Sequence, residues 1–379
     1  MPELADIFRL YGPAYLDRFG RHMPPSHRRA LTDLRDCRTA AMGGRLYVCD
    51  RCGRPHYAYH SCRHRACPKC HGTDTHAWLE ARRRDLLPVP YFHLVFTVPA
   101  ALRHLLRSHQ KALYPLLMKA AAEALIRLGA DPHYVGGQLA VLAILHTWSR
   151  TLVYHPHVHC LVPAGGLSPA GRWLPARRNF LVPVRALSKL FAGRFLALAA
   201  QALPEVRIPA SARRQPWVVH CKPTVHGTDR VLRYLARYVH RVALTNYRIL
   251  SVGDDQVTFG YSTVADGRGR TMTLPAMEFI RRFLQHVLPK GLHKVRYYGL
   301  WAASCRPRLA DLQAALASAD QQPAAPPPDH PAEPSAAPAF RLAESPCPFC
   351  RAGRLIFLRR LARHERAPPG DRLARPLPS

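Results

Sequence analysis

Two neighbouring stretches, LAVLAILHTW at residues 139–148 and HPHVHCLV at residues 155–162, decide how this chain is to be read. Both are short, mainly apolar runs of the kind that form strands of a well-buried sheet. On a strand, residues two apart share a face, so His157 and His159 project together while Val158 enters the core behind them. Two imidazoles presented from rigid backbone can hold one divalent metal. His155 has the same parity, although Pro156 interrupts the ladder beside it and tilts it away. Solvent-facing histidines on half-buried strands also occur without any metal, so the pattern alone leaves both readings open.

Working outward, YFHLVFTV (91–98) places Phe92, Leu94, Phe96 and Val98 on one face, a further strand that carries His93 on the other. Helices are expected over 73–87, 99–128, 184–203, 229–244 and 275–289, the last between Pro275 and Pro289. VTFGYST (257–263) and RTMTL (270–274) read as a hairpin, and KVRYYG (294–299) as a short strand. Seven prolines between Pro323 and Pro338 predict a semi-rigid, extended linker. The expected division is a module at 1–85, a core at 86–316, the linker at 317–340 and a basic tail at 341–379.

The 379 residues carry 55 Lys and Arg against 24 Asp and Glu, a formal net charge of +31. The hydrophobic content of 48% is that of a folded protein and excludes a disordered basic tail. Such a surplus favours polyanions, nucleic acid above all. No run of about 18 apolar residues is present to span a membrane. MPELADIFRLYGPAYLDRFG lacks the apolar core of a secretory signal. In the reducing compartment this implies, eleven cysteines point to metal binding before disulfides.

Cys49-x2-Cys52 and Cys67-x2-Cys70 are separated by 14 residues and read as the two knuckles of one tetrahedral zinc site. Cys37 and Cys62 are left over, with His56, His60, His64 and His71 nearby. They are candidates for a second zinc held together with two of these histidines, for replacing one of the four ligands, or for ordinary buried cysteines. Cys347-x2-Cys350 is half a site with no second pair after it; His364 could assist, and a plain surface turn explains it equally well. TDRVLRYLARYVHRVAL (228–244) carries Tyr234 and Tyr238 on one helical face, between an apolar stripe and Arg233, Arg237 and Arg241. Tyrosines so placed either pack at a core edge or attack a phosphodiester whose charge the arginines and a metal neutralise.

Together, in one order, these features resemble the two-tyrosine HUH transposases of rolling-circle insertion sequences, HUH meaning His–hydrophobe–His. The resemblance rests on CRTAAMGGRLYVCDRCG with SCRHRACPKC, LLPVPYFHLVFTVP, LHTWSRTLVYHPHVHCLVPAGGL, RYLARYVHRVAL and EFIRRFLQHVLPKGLHKVRYYGL, from about Leu31 to Leu300. It implies an α+β fold: a nuclease core with a central antiparallel sheet flanked by helices, preceded by a small zinc-binding module. It implies a bacterial, cytoplasmic, nucleoid-associated enzyme acting on single-stranded element ends. Structural zinc would sit on the cysteines and catalytic magnesium or manganese on His157 and His159, with a third polar ligand for which His155 is the local candidate and His93, on another strand, the weaker one. Tyr234 or Tyr238 would form a 5′-phosphotyrosine, with Arg233, Arg237 and Arg241 on the DNA. The chain departs from the family at Ala66, where histidine is frequent. A plasmid replication initiator or relaxase using the same chemistry, and a non-catalytic zinc-dependent nucleic-acid binder, are the alternatives.

Overall fold

A computed structural model of the chain describes residues 2–70, 78, 81–224, 231, 243–262, 268–319 and 345–368. The fold is α+β, with antiparallel strand pairing throughout the described sheets. Helices α1 (Leu4–Phe19) and α2 (Pro25–Asp36) come first. The start of α1 is fixed by a reciprocal cap in which the Glu3 N–H donates to Asp6 at 2.8 Å. A tight hairpin follows, made of β1 (Gly44–Cys49) and β2 (Pro55–Tyr59).

The central sheet begins with β3 (Tyr91–Thr97). Helices α3 (Arg103–Ser108) and α4 (Gln110–Gly129) occupy the stretch expected to be one helix; His109 breaks it with φ −118° and ψ 42°. Strands β4 (Ala140–Trp148) and β5 (Tyr154–Pro163) are the two runs quoted at the outset. A two-stranded ribbon, β6 (Gly165–Leu167) with β7 (Trp173–Pro175), leads to α5 (Val184–Ala202) and then β8 (Val218–Pro223). Strands β9 (Ile249–Gly253), β10 (Gln256–Ser262) and β11 (Gly269–Pro275) form a separate meander containing the expected hairpin. Helix α6 (Ala276–Leu284) stops short of Pro289. Strand β12 (Val295–Gly299), helix α7 (Arg306–Ala319) and β13 (Leu355–Leu361) complete the described chain.

The central sheet has the order β12-β4-β5-β3-β8. Alternation gives it two unlike faces. Phe92, Leu94, Phe96, Val141, Ala143, Leu145, Val158, Cys160 and Val162 form one apolar face, buried with residues of α4 and α5 such as Leu117, Leu125, Phe191 and Phe195. Burying each such leucine or phenylalanine stabilises the fold by about 1.5–3 kcal/mol. The opposite face carries Tyr91, Ala140, Leu142, Ile144 and Leu161, covered by Leu86, Leu87, Trp301, Leu309 and Leu312. Gly299 ends β12 at φ +62°, and a Cβ there would lie 1.9 Å from the Leu139 carbonyl oxygen, so only glycine fits.

The apolar clusters do not respect a boundary at residue 85. Leu4, Ile7, Phe8, Leu31 and Leu34 share one core with Val257, Phe259, Phe279, Ile280 and Phe283. Segment 345–368, part of the expected basic tail, contributes β13, which pairs antiparallel with β1 to give the sheet β13-β1-β2. Of the helix expected over 73–87, residues 73–77, 79 and 80 lie outside the described residues, 81–83 are helical and the helix ends before Leu86; most of the linker at 317–340 also lies outside them. Among the described residues, no helix is long and apolar enough to cross a membrane.

Candidate functional site

The register between β4 and β5 sets His146 opposite His157 and Ile144 opposite His159. One ring nitrogen from each of His146, His157 and His159 lies within 4.8 Å of the others, a grouping able to hold a metal. Hydrogen bonds orient the rings. His157 Nδ1 lies 2.7 Å from the His155 carbonyl oxygen and donates to it, which leaves Nε2 as the lone-pair nitrogen. His93, on the same face of β3, stacks on His159 with its Nε2 2.9 Å from His159 Nδ1. Burial pushes His93 down to about 4, so its ring is neutral and can accept from His159 Nδ1. Trp148 stacks on His146 with ring centroids 4.6 Å apart.

His155, the expected third ligand, is not in the group. Its Nδ1 accepts instead from Arg103 Nη2 at 2.9 Å. The reason is a register shift in β4 between His146 and Trp148, which ends regular pairing opposite His157. His93, the weaker candidate, stands behind His159 as its hydrogen-bond partner. His146 completes the trio. Its place in an apolar run gives no local sign of this, because only cross-strand register brings it to His157.

Eight of the eleven cysteines form two groups of four: Cys37, Cys62, Cys67 and Cys70, and separately Cys49, Cys52, Cys347 and Cys350. The expected set of Cys49, Cys52, Cys67 and Cys70 is therefore divided. The β1–β2 hairpin explains this, because Gly44 pairs with Tyr59 at one end while the Cys49–Cys52 turn lies at the other. Six extended residues span roughly 20 Å, too far for one ion. In the first group the Sγ–Sγ distances are 3.6, 3.7 and 3.8 Å. A tetrahedron with Zn–S bonds of about 2.3 Å has an edge of about 3.8 Å. Hydrogen bonding from Cys62 and Cys67 pulls the Cys37 thiol down to about 7. His364 belongs to neither group; its backbone N–H donates to the Ala40 carbonyl at 2.6 Å.

A cleft of ≈ 380 Å³ is lined by Arg103, His104, Arg107, Arg281 and Arg282, with Tyr154 and Gln285 in its wall. Glu278 bonds both Arg281 and Arg282, at 2.6 and 2.7 Å, and is held down to about 2 by them. Arg107 reaches the Gln285 carbonyl at 3.1 Å and lies over the Tyr154 ring. Burial lowers its pKa. Four guanidiniums against this one carboxylate leave a surplus of three positive charges, and concave walls focus the resulting field on an anion. Arg103 joins this cleft to His155, and so to the strand carrying His157.

Tyr234, Tyr238, Arg233, Arg237 and Arg241 lie outside the described residues. Val231, three residues before Tyr234, is described and is buried in the apolar cluster on the histidine face of the sheet.

With this geometry in hand, comparison with known proteins is informative. A family model described as "Putative transposase" matches residues 140–308, and one described as "Transposase zinc-binding domain" matches residues 7–98. The chain is 42% identical over 318 residues to "Putative transposase y4qJ" of Sinorhizobium fredii, covering 79% of this chain and 80% of that protein. It is 28% identical over 289 residues to the transposase for insertion sequence element IS801 of Pseudomonas savastanoi pv. phaseolicola, covering 72% and 69% respectively. No solved structure matches.

Proposed function

The chain belongs to the two-tyrosine transposases of insertion sequences, with a transposase zinc-binding domain in its N-terminal part, and from that premise we propose that it nicks and rejoins single-stranded DNA at element ends through a 5′-phosphotyrosine. The observation that carries this reading is the His146, His157 and His159 trio on adjoining strands. Three imidazoles whose ring nitrogens converge on one point are a ligand set for a metal ion.

The trio fits a divalent ion. A neutral imidazole presents one lone pair, and the set contains no carboxylate. Nitrogen donors suit manganese better than magnesium, which prefers oxygen. When bound there, the ion would polarise the scissile phosphate and stabilise the leaving 3′ oxygen. The remaining work falls to the chain. His93 and the His155 carbonyl hold the rings of His159 and His157 in the ligating orientation. The arginine cleft grips the flanking phosphates, which fixes the strand without reading its sequence.

In this reading the phenolic oxygen of Tyr234 or Tyr238 attacks the phosphorus. The new bond joins tyrosine oxygen to the 5′ phosphate, the P–O3′ bond breaks, and the strand leaves with a 3′-hydroxyl. The reverse attack by a 3′-hydroxyl rejoins the DNA, with the second tyrosine free to take part in strand transfer. No nucleotide cofactor is consumed, because the phosphotyrosine conserves the bond. Val231, buried on the histidine face three residues before Tyr234, supports this assignment. Cys37, Cys62, Cys67 and Cys70 would hold structural zinc beside the core that α1 and α2 share with α6.

The test uses a labelled single-stranded element end with manganese or magnesium. A denaturation-resistant adduct is expected with the unaltered chain and absent after Tyr234→Phe with Tyr238→Phe. Persistence of the adduct in that double variant would refute the tyrosine assignment.

A further inference from the structure

We infer that Cys49, Cys52, Cys347 and Cys350 form a second zinc centre, which makes segment 345–361 an integral part of the zinc module rather than an appendage. Cys347 and Cys350 lie beyond both matched family segments, 7–98 and 140–308, so the comparisons assign them nothing.

The geometry is that of a metal site. Cys49 Sγ lies 3.7 Å from Cys350 Sγ, and Cys52 Sγ lies 3.8 Å from Cys347 Sγ. These distances are far above the ~2.05 Å of a disulfide and equal to the ~3.8 Å edge of a zinc–thiolate tetrahedron. Both CxxC turns have the same internal design. The N–H of Arg51 points at Cys49 Sγ at 3.4 Å, as that of Phe349 points at Cys347 Sγ at 3.4 Å. Cys52 and Gly353 add further N–H contacts to Cys49 and Cys350, at 3.5 and 3.4 Å. Such donors stabilise sulfur as thiolate.

The two turns also interlock. Asp50 Oδ1 accepts from the Arg354 N–H at 2.8 Å, and the Asp50 N–H donates to the Arg354 carbonyl at 3.1 Å. Strand β13 continues this contact along all of β1, from Cys49 opposite Leu355 to Gly44 opposite Leu361. Yet the apolar cluster beneath is very small: Tyr47, Cys49, Cys347 and Leu355 are its buried members. A core of that size does not hold a fold by burial alone, and small domains of this kind rely on a metal. The charge fits as well. Four thiolates and one zinc ion carry a net double negative charge, and Arg51, Arg54, Arg351 and Arg354 flank the turns.

The full-length chain, loaded with cobalt(II) in place of zinc, reports thiolate ligation directly by its sulfur-to-cobalt absorption. The histidine trio does not contribute to that band. The unaltered chain is expected to show the intensity of two four-thiolate centres. Cys347→Ser with Cys350→Ser should halve the band and release one zinc per chain, measured by elemental analysis. Cys350→His should keep the metal while shifting the cobalt d–d bands as nitrogen replaces sulfur. That second variant retains a ligand and guards against simple misfolding. Undiminished absorption and zinc content in the double serine variant would overturn the inference, as would a band of single-centre intensity in the unaltered chain. None of these readouts involves DNA cleavage, so they stand or fall separately from the proposed chemistry.

Discussion

His93→Phe isolates a positioning effect at the proposed catalytic metal. His93 is outside the trio, yet its Nε2 lies 2.9 Å from His159 Nδ1. The interplanar angle of 9° shows that the two rings are held together. Phenylalanine conserves the flat, buried shape and removes the acceptor. His159 then loses the bond that directs its Nε2 toward His146 and His157 and that raises its basicity. Losing such an outer hydrogen bond weakens metal affinity by about 10–100-fold, equivalent to about 1.4–2.7 kcal/mol. The assay is a manganese titration followed by calorimetry, with cleavage of a single-stranded end measured across the same concentrations. The midpoint should move upward by that factor, while cleavage at saturating manganese recovers most of its rate. His93→Gln, which restores an acceptor, should move the midpoint back. An unchanged manganese midpoint in His93→Phe would refute the role given to this bond, and an equal rate loss at saturation would show a damaged fold instead.

Three other outcomes follow from the same geometry. His146→Ala removes a ligand rather than its support, so manganese binding should fall by more than the His93→Phe loss, whereas His155→Ala should leave it nearly intact; calorimetry on both variants decides between the two histidines. Arg107→Ala with Arg281→Ala removes two phosphate contacts, and the salt slope of single-strand affinity, read by fluorescence anisotropy, should flatten by about 1.4 at about 0.7 per contact. An unchanged slope would mean that the cleft does not hold the strand. Acid should destabilise the fold through His27 and His286, both pushed down to about 4 by burial. Each stays neutral in the fold but takes a proton when unfolded near pH 6.5. Their stabilisation is therefore full above about pH 6.5 and lost between about 6.5 and 4, at roughly 3 kcal/mol each. Urea midpoints at pH 7.5 and 4.5 measure this, and His286→Gln should reduce the difference.

What the sequence made legible was whatever depends on local periodicity. Strands β3, β4 and β5, the β10–β11 hairpin, helix α5 and the shared face of His157 and His159 all follow from spacing along one segment. What it hid depends on pairing between segments. Spacing along β5 offers His155 and gives no sign of His146, and the β4–β5 register with its shift after His146 brings His146 to the site instead. The cysteines mislead for the same reason. Cys49-x2-Cys52 and Cys67-x2-Cys70 look matched on a line, but a hairpin holds them apart. The signal that could have corrected this was arithmetic: Cys37, Cys62, Cys347 and Cys350 were four leftover cysteines, enough to complete two sites. Residue 85 looked like a boundary because cysteine density drops there, whereas α1 and α2 are bound by apolar burial to α6 and the β9–β11 meander.

The Cys52–Cys347 pairing also sets a timetable. The two residues stand 295 positions apart. A ribosome adding about 5–20 residues per second needs roughly 15–60 s to travel from one to the other. Cys37, Cys62, Cys67 and Cys70 emerge within a few seconds of each other and can capture zinc at once. Cys49 and Cys52 must wait through the synthesis of the entire central sheet with their thiols uncommitted. Correct sorting of the six early cysteines thus depends on the first four being taken promptly, so a shortage of zinc during synthesis should damage this protein more than the same shortage afterwards.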